Sequence, residues 1–148
     1  MNRILSILTL GLLSLLFLSA CKEEVIIDPT QPSGAFTASR TGTFIAQNAT
    51  GSAGMASLGT DEDGAQFLKL GSDFTTNFAT GTVTVYLSKG QTYTADPANG
   101  NPSLRLLGVT RKAGEQYFKL ETAVGADFTH VILWCASANV PFGYAPLN

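Results

Sequence analysis

The chain has 148 residues, of which 45% are hydrophobic and 14% are charged, with nine Lys and Arg against eleven Asp and Glu. This length suffices for one domain and is short for two. The formal net charge of −2 offers no basic surface, so nucleic acid is not expected as a partner. The charged fraction lies below the usual figure of about 25% for soluble domains, which indicates that one segment is unusually apolar.

That apolar segment is the N-terminus. Residues 1–20 contain thirteen hydrophobic residues, and no charge follows Arg3 within them. An uncharged run of about fifteen residues behind one cation is typical of a secretory signal peptide, because a membrane-spanning helix needs about 20. The run ends in Leu18-Ser19-Ala20-Cys21, which resembles the lipobox of bacterial lipoproteins. We expect cleavage before Cys21 and attachment to the membrane through lipid, including palmitate, on this residue. An ordinary signal peptide with an accidental cysteine is the alternative.

Residues 21–34 are predicted to form the lipidated cysteine and a flexible tether, since charges, two prolines and a Ser-Gly pair leave little that can pack. Lys22-Glu23-Glu24 resembles a signal that carries some lipoproteins to the cell's outer face. We therefore expect an outer-membrane protein displayed on the cell surface, with the periplasmic face as the alternative location. A solvated charged tether is the alternative interpretation of these three residues.

Residues 35–148 are predicted to form one all-β domain, an antiparallel β-sandwich or barrel. Thr and Gly are abundant, and short runs with period-two alternation recur between turn signals. No helical spacing of apolar residues follows residue 34. Lys112-Ala113-Gly114 is expected to be a hairpin loop, and Gln91–Pro102 a long variable loop. The predicted strands are Thr41–Gln47, Gly54–Gly59, Ala65–Leu70, Thr82–Ser88, Leu104–Thr110, Glu115–Glu121 and His130–Cys135.

The last third of the chain carries its most specific motifs. An apolar strand ends in Trp134-Cys135, and a run from Phe142-Gly143 to Leu147 follows within about ten residues. This arrangement resembles the DM-thirteen domain, a small extracellular β-domain found in bacterial lipoproteins and beside DOMON domains. The resemblance covers roughly residues 35–147. One departure is Ala79-Thr80-Gly81-Thr82, where family members often have a Gly-Pro-Asp turn, so the geometry of this turn stays open.

The resemblance implies a redox or electron-transfer accessory in which Cys135 is the redox group. Cys135 is the only cysteine left once Cys21 is lipidated, which excludes a disulfide within the chain. A reactive thiol needs exposure and a lowered pKa. Strand alternation instead places Cys135 with Val131 and Leu133 on an apolar face, where burial raises a thiol's pKa. The alternative is a non-catalytic surface module that binds a partner and uses Cys135 only for packing.

Neither a metal nor a cofactor is expected. Besides Cys135, the mature chain offers one His, His130, and one Met, Met55, which is too few ligands for blue copper or structural zinc. His130 opens its strand and is expected to be a partly exposed edge residue. Asp61-Glu62-Asp63-Gly64 lacks the further oxygen ligands of a calcium loop, so an acidic turn is the better interpretation.

The remaining candidates concern binding, and the residues favour a protein that is not an enzyme. A hydrolytic triad would depend on the single His, and no Gly-x-Ser-x-Gly motif is present. The partners considered are the membrane and a redox or envelope protein. The aromatic residues Trp134, Tyr86, Tyr117 and Tyr144 are candidates for a binding surface or an electron-hopping path, and packing is the ordinary alternative. Phe142 and Gly143 are candidate binding residues of the family motif, with a structural role as the alternative.

Overall fold

The computed structural model describes residues 28, 30–94 and 100–148. These residues form an all-β structure without a helix, which confirms the predicted fold class. Accordingly, the described part of the chain contains no helix that could cross a membrane. The strands are β1 (Thr37–Thr43), β2 (Ile45–Ala46), β3 (Met55–Thr60), β4 (Gln66–Leu70), β5 (Val83–Ser88), β6 (Leu104–Thr110), β7 (Gln116–Lys119), β8 (His130–Cys135) and β9 (Val140–Pro146).

The strands form two antiparallel sheets that pack as a β-sandwich. Sheet A has the strand order β1-β3-β4-β7, and sheet B has the order β2-β9-β8-β5-β6. Alternation along each strand sends one set of side chains between the sheets and the other set to an outer face. In β5, for example, Val83, Val85 and Leu87 belong to the core, as the sequence alternation predicts. In this order β9, β8 and β5 are the inner strands of sheet B.

The core lies between the inner faces of the two sheets. Sheet A contributes Leu58, Leu68 and Leu70, none of which has any exposed surface. Sheet B contributes a matching apolar set from β5 and β8. Phe67 and Ile132 are also buried but lie outside this core cluster, because they occupy the outer faces of β4 and β8. Each outer face therefore also contains one large apolar side chain that is buried.

The predicted strand Thr41–Gln47 is wrong as a single element. The chain forms β1 in sheet A, passes through Phe44, and then forms β2 in sheet B. Phe44 is 5% exposed and its ring centroid lies 5.4 Å from that of Phe74, so its burial fixes the point where the chain changes sheets. An alternating sequence gives the same pattern whether or not the strand changes sheets, so periodicity could not locate this step.

The expected hairpin at Lys112-Ala113-Gly114 is also wrong. β6 pairs with β5 in sheet B, and β7 pairs with β4 in sheet A, so the segment crosses from one sheet to the other. The N–H of Gly114 donates to the carbonyl oxygen of Phe74 at 2.8 Å, which holds the crossing against the loop after β4. The crossover lets β7 extend sheet A with Phe118 packed against the core. β7 ends at Lys119, two residues before the predicted end.

Two further features of sheet B differ from the sequence prediction. The family motif from Val140 to Pro146 forms strand β9, which was not among the predicted strands. Its prolines and glycine weaken the strand signal, but β9 pairs with β8 along its length. His130 was expected to be a partly exposed edge residue. It is partly exposed, as predicted, but it opens an inner strand, because β8 lies between β5 and β9.

Candidate functional site

Cys135 is the last residue of β8 and lies in the core between the sheets. Its side chain has no exposed surface, and it belongs to the same buried cluster as Val131 and Leu133. Strand alternation therefore placed it on the correct face. The residues that follow it form the exposed turn between β8 and β9, so the thiol lies beneath a surface turn.

The turn directs polar groups at the Cys135 sulfur. The hydroxyl oxygen of Ser137 lies 3.4 Å from Sγ, and the backbone N–H of Ala138 donates to Sγ at 3.4 Å. The Ser137 hydroxyl also donates to the carbonyl oxygen of Thr80 at 3.2 Å, and its N–H donates to Thr82 Oγ1 at 3.2 Å. These bonds tie the β8–β9 turn to the segment before β5 and leave the sulfur in a partly polar setting.

Opposing effects act on the pKa of the Cys135 thiol. Burial raises the pKa, while hydrogen bonds involving Ser137, Thr80 and Ala138 stabilise the thiolate. The hydrogen bonds together prevail, and the pKa lies below its ordinary value. The contribution of burial has the predicted sign, but the net direction of the pKa is the opposite one, because strand alternation carries no information about the polar groups of the following turn.

Trp134 lies on the opposite side of β8 from the thiol, on the outer face of sheet B. The Tyr93 ring stacks on it with centroids 4.0 Å apart and planes inclined by 19°. Tyr93 in turn meets Tyr86 edge-on at 5.3 Å. Burial and, to a smaller extent, the hydrogen bond with Tyr86 raise the pKa of Tyr93. Tyr93 comes from the loop after β5, and periodicity gave no signal for it because loop side chains have no fixed face.

Apolar side chains cross the whole outer face of sheet B in one line. Register pairs Ile45 with Tyr144, Tyr144 with Ile132, Ile132 with Tyr86, and Tyr86 with Leu106. We call these five residues the outer row. Its two ends are the most open, with Ile45 48% and Leu106 58% exposed. Tyr86 and Tyr144 are half-buried and Ile132, at the centre, is 1% exposed, so only the two ends of the row are open surface.

Phe142 and Gly143 lie where β9 meets β2. The Phe142 side chain is 3% exposed, and its carbonyl oxygen accepts hydrogen bonds from the hydroxyls of Thr50 and Ser52 and from the N–H of Gln47. A Cβ added to Gly143 would lie 2.8 Å from the carbonyl oxygen of Ile45. Both residues thus join β9 to β2 and to the loop that follows β2.

The other predicted candidates lie apart from Cys135. His130 Nδ1 is 2.8 Å from Thr129 Oγ1, and burial lowers its pKa. Tyr117 lies in sheet A, where its ring meets Phe36 at 5.7 Å, and so does not join the aromatic residues of sheet B. Within residues 30–94 and 100–148, no group of three His, Cys, Asp or Glu side chains is arranged to hold a metal ion.

The carboxylate of Asp61 stabilises the acidic turn through hydrogen bonds. Asp61 Oδ1 accepts from the N–H groups of Asp63 and Ala65, at 3.1 and 2.8 Å, and Oδ2 accepts from the N–H of Ser33 at 3.1 Å. Hydrogen bonds to this carboxylate, led by that of Ser33, hold the pKa of Asp61 below its usual value. The turn thus closes on itself and holds the N-terminal segment against sheet A.

Cys21 and the preceding signal-like segment lie outside the described residues. Comparison with known proteins gives one family, since the model described as Electron transfer DM13 matches residues 43–147. No curated protein and no solved structure matches the chain. The matched range includes strands β2 to β9, Cys135 and the motif at Phe142, and it covers well over half of the chain. The earlier resemblance is thereby confirmed, and the chain belongs to the Electron transfer DM13 family.

Proposed function

We propose that this protein is a lipid-anchored redox accessory of the bacterial cell envelope, with Cys135 as the group that gains and loses electrons. Membership of a family described by electron transfer supports the redox role. The observation that carries the assignment to Cys135 is the pair of contacts at its sulfur, from Ser137 Oγ and the Ala138 N–H. The Ala138 N–H donates to the sulfur and stabilises the thiolate, which is the more readily oxidised form, while the Ser137 hydroxyl, whose own proton goes to the Thr80 carbonyl, accepts from the thiol.

Burial favours electron transfer over direct attack at the sulfur. Formation of a sulfenic acid or a mixed disulfide requires a reagent to touch Sγ, and Cys135 has no exposed surface. Loss of an electron does not require such contact. In the proposed step the S–H bond breaks, one electron passes to a one-electron acceptor such as a haem or metal protein, and a thiyl radical remains. The proton passes to the exposed Ser137 hydroxyl and then to solvent, and the reverse step restores the thiol.

The aromatic residues of sheet B provide a route between Cys135 and the surface. Trp134 follows directly on the other side of β8, and Tyr93 covers it at 4.0 Å. Tyr86 continues the contact at 5.3 Å. An electron that leaves Cys135 can therefore pass through adjacent rings to the outer face, where a partner protein could receive it.

The redox role is tested by voltammetry of the mature protein together with electron paramagnetic resonance after one-electron oxidation. We expect a redox signal that Cys135→Ser removes, because serine keeps the shape but has no oxidisable sulfur. Trp134→Phe should slow the electron exchange, while the matched control Tyr117→Phe, on sheet A, should not. Circular dichroism checks that each variant is folded. A signal that persists in folded Cys135→Ser would contradict the assignment.

A second candidate function is a non-catalytic interaction module of the cell envelope, in which Cys135 only packs. The observation that favours it is the complete burial of Cys135 among Val131, Leu133 and the rest of the core cluster. Free cysteine behaves as a small apolar residue in such places. Under this alternative, folded Cys135→Ser keeps the physiological effect of the protein, whereas the redox proposal requires its loss.

The proposed anchor is the lipid on Cys21, and the proposed location is the outer membrane, at the cell surface or, alternatively, on its periplasmic face. The support comes from the sequence Leu18-Ser19-Ala20-Cys21 behind an uncharged apolar run. The charges of Lys22-Glu23-Glu24 support the cell-surface alternative. We expect the lipidated protein to sediment with phospholipid vesicles and the Cys21→Ser variant to stay in solution, and equal sedimentation of the two would contradict the anchor.

A further inference from the structure

We propose that the free edge of strand β6 binds an extended segment of a partner protein in which apolar and acidic residues alternate, so that this segment adds a strand to sheet B. The edge is separate from the proposed electron route, because β5 lies between β6 and the strand β8 that carries Trp134. Three features of the edge carry the inference: its open backbone, its exposed apolar side chains and the cations beside it. The inference depends neither on the redox role nor on the lipid anchor.

Strand β6 ends sheet B and pairs on one side only, with β5. Where this pairing begins, the N–H of Lys89 donates to the carbonyl oxygen of Ser103 at 3.0 Å. Bonded and non-bonded pairs alternate along an antiparallel ladder, so the pair Tyr86–Leu106, an odd number of positions further along, is a non-bonded pair. The N–H and C=O groups of Leu106 therefore point away from β5, and no other segment of the described chain pairs with them.

The side chains on the outer side of this edge are apolar and exposed. Leu106 is 58% exposed, and Val109, which pairs with Thr84 of the outer face, is 40% exposed. Proteins usually protect a free edge with charged side chains or by covering it. The edge strand β1 of sheet A is covered in this way, because Thr41 and Asn148 exchange two backbone hydrogen bonds of 3.0 Å. An open edge with apolar neighbours is the surface that strand addition uses.

Cations line the inner side of the same edge. Arg105 pairs with the core residue Leu87, so its side chain lies on the inner side of β6, where an open cavity of about 170 Å³ separates β6 from the end of β7. Lys119 also lines this cavity, and Glu121 is the one carboxylate among its lining residues. Neither Arg105 nor Lys119 takes part in an ion pair within the described chain. Both cations can therefore bind a carboxylate that enters the gap.

These two sides define the sequence pattern of the docked strand. Side chains alternate between the faces of a strand, so one set would lie beside Leu106 and the other set beside Arg105. Apolar residues suit the first set, and acidic residues suit the second, since opposite charges across a strand pair stabilise it. A second copy of β6 fits less well, because it would bring the same cations of both copies into one interface.

The binding is tested with the mature full-length protein and the labelled peptide Glu-Val-Glu-Val-Glu-Val, by fluorescence anisotropy. The reference peptide, Glu-Glu-Glu-Val-Val-Val, has the same composition without the alternation. We expect the alternating peptide to bind at least about tenfold more tightly than the reference, and added salt to weaken its binding. Leu106→Asp and Arg105→Glu should each weaken binding by about tenfold, because each places a negative charge beside an acidic strand.

Met55→Asp is the matched control, since it adds the same charge at an exposed apolar residue of sheet A and should leave the affinity unchanged. Two N-methylated peptides test the backbone pairing with the natural chain. Because N–H groups alternate in direction along a strand, methylation at only one of the two residue types should abolish binding. In antiparallel pairing this type is Val, which lies opposite Leu106.

Equal binding of the two N-methylated peptides, or equal binding of the alternating and reference peptides, would overturn strand addition. Binding that appears only after residues 22–27 are removed would assign the edge to this chain's own N-terminal segment and overturn the proposed partner. A dimer that Leu106→Asp dissociates would assign the edge to a second copy instead. Circular dichroism checks that the variants are folded.

Discussion

Gly143 illustrates how one residue decides whether two strands can meet. A Cβ at this position would lie 2.8 Å from the carbonyl oxygen of Ile45 and 3.0 Å from Ser52 Cβ. Since backbone must move to relieve such contacts, we predict that Gly143→Ala lowers the free energy of unfolding by about 1–3 kcal/mol. Urea denaturation followed by circular dichroism measures the change.

Gly90→Ala is the control for this residue, because a Cβ there meets no atom within 4 Å. It should change the free energy of unfolding by less than about 1 kcal/mol, with a stabilising sign from reduced freedom of the unfolded chain. Equal effects of the two substitutions would show that the close approach of β9 to β2 does not matter for stability.

Asp61, in the acidic turn after β3, connects this turn to the N-terminal segment before β1. Hydrogen bonds, first of all from the N–H of Ser33, lower the pKa of this carboxyl from 3.8. A group with a lowered folded pKa stabilises the fold above its unfolded pKa, and this stabilisation disappears as the pH falls through the folded pKa. We predict that Asp61→Asn is less stable than the natural chain at neutral pH and that the difference shrinks below about pH 4. Thermal unfolding as a function of pH measures it.

Asp63→Asn serves as the control for the turn, since it removes the same charge while only the backbone N–H of Asp63 takes part in the Asp61 hydrogen bonds. Its stability difference from the natural chain should vary less with pH across the acidic range. A constant difference for Asp61→Asn down to pH 2 would argue against the lowered pKa.

The sandwich as a whole depends on the apolar layer between its sheets. Leu133 is fully buried in this layer at the middle of β8. Truncation there leaves a cavity that both sheets line, so Leu133→Ala should cost about 2–5 kcal/mol of unfolding free energy. Chemical denaturation measures this, and Met55→Ala, at a surface position, should stay within about 0.5 kcal/mol. A small cost at Leu133 would mean that the two sheets can close over the space.

Sequence information sufficed for features that depend on local pattern. Alternation along Thr82–Ser88 and the apolar run His130–Cys135 located β5 and β8 with their correct inner faces, because side-chain direction in a strand follows from period two. The same reasoning placed Cys135 in the core. Motif residues from Trp134 to Leu147 were enough to indicate the family, since their spacing is fixed in the chain itself.

Only the tertiary structure decided which strands pair and what surrounds each side chain. The division of residues 41–47 between two sheets and the crossover at residues 112–114 depend on partners distant in sequence. The donors around Cys135 and the ring of Tyr93 over Trp134 come from a turn and a loop, where no periodicity constrains direction. The sequence by itself determined most of the strands, the family and the buried side of β8, but neither β9 nor the break between β1 and β2. Long-range packing decided the sheet partners, the pKa of the thiol and the apolar outer face, because these properties belong to contacts between segments.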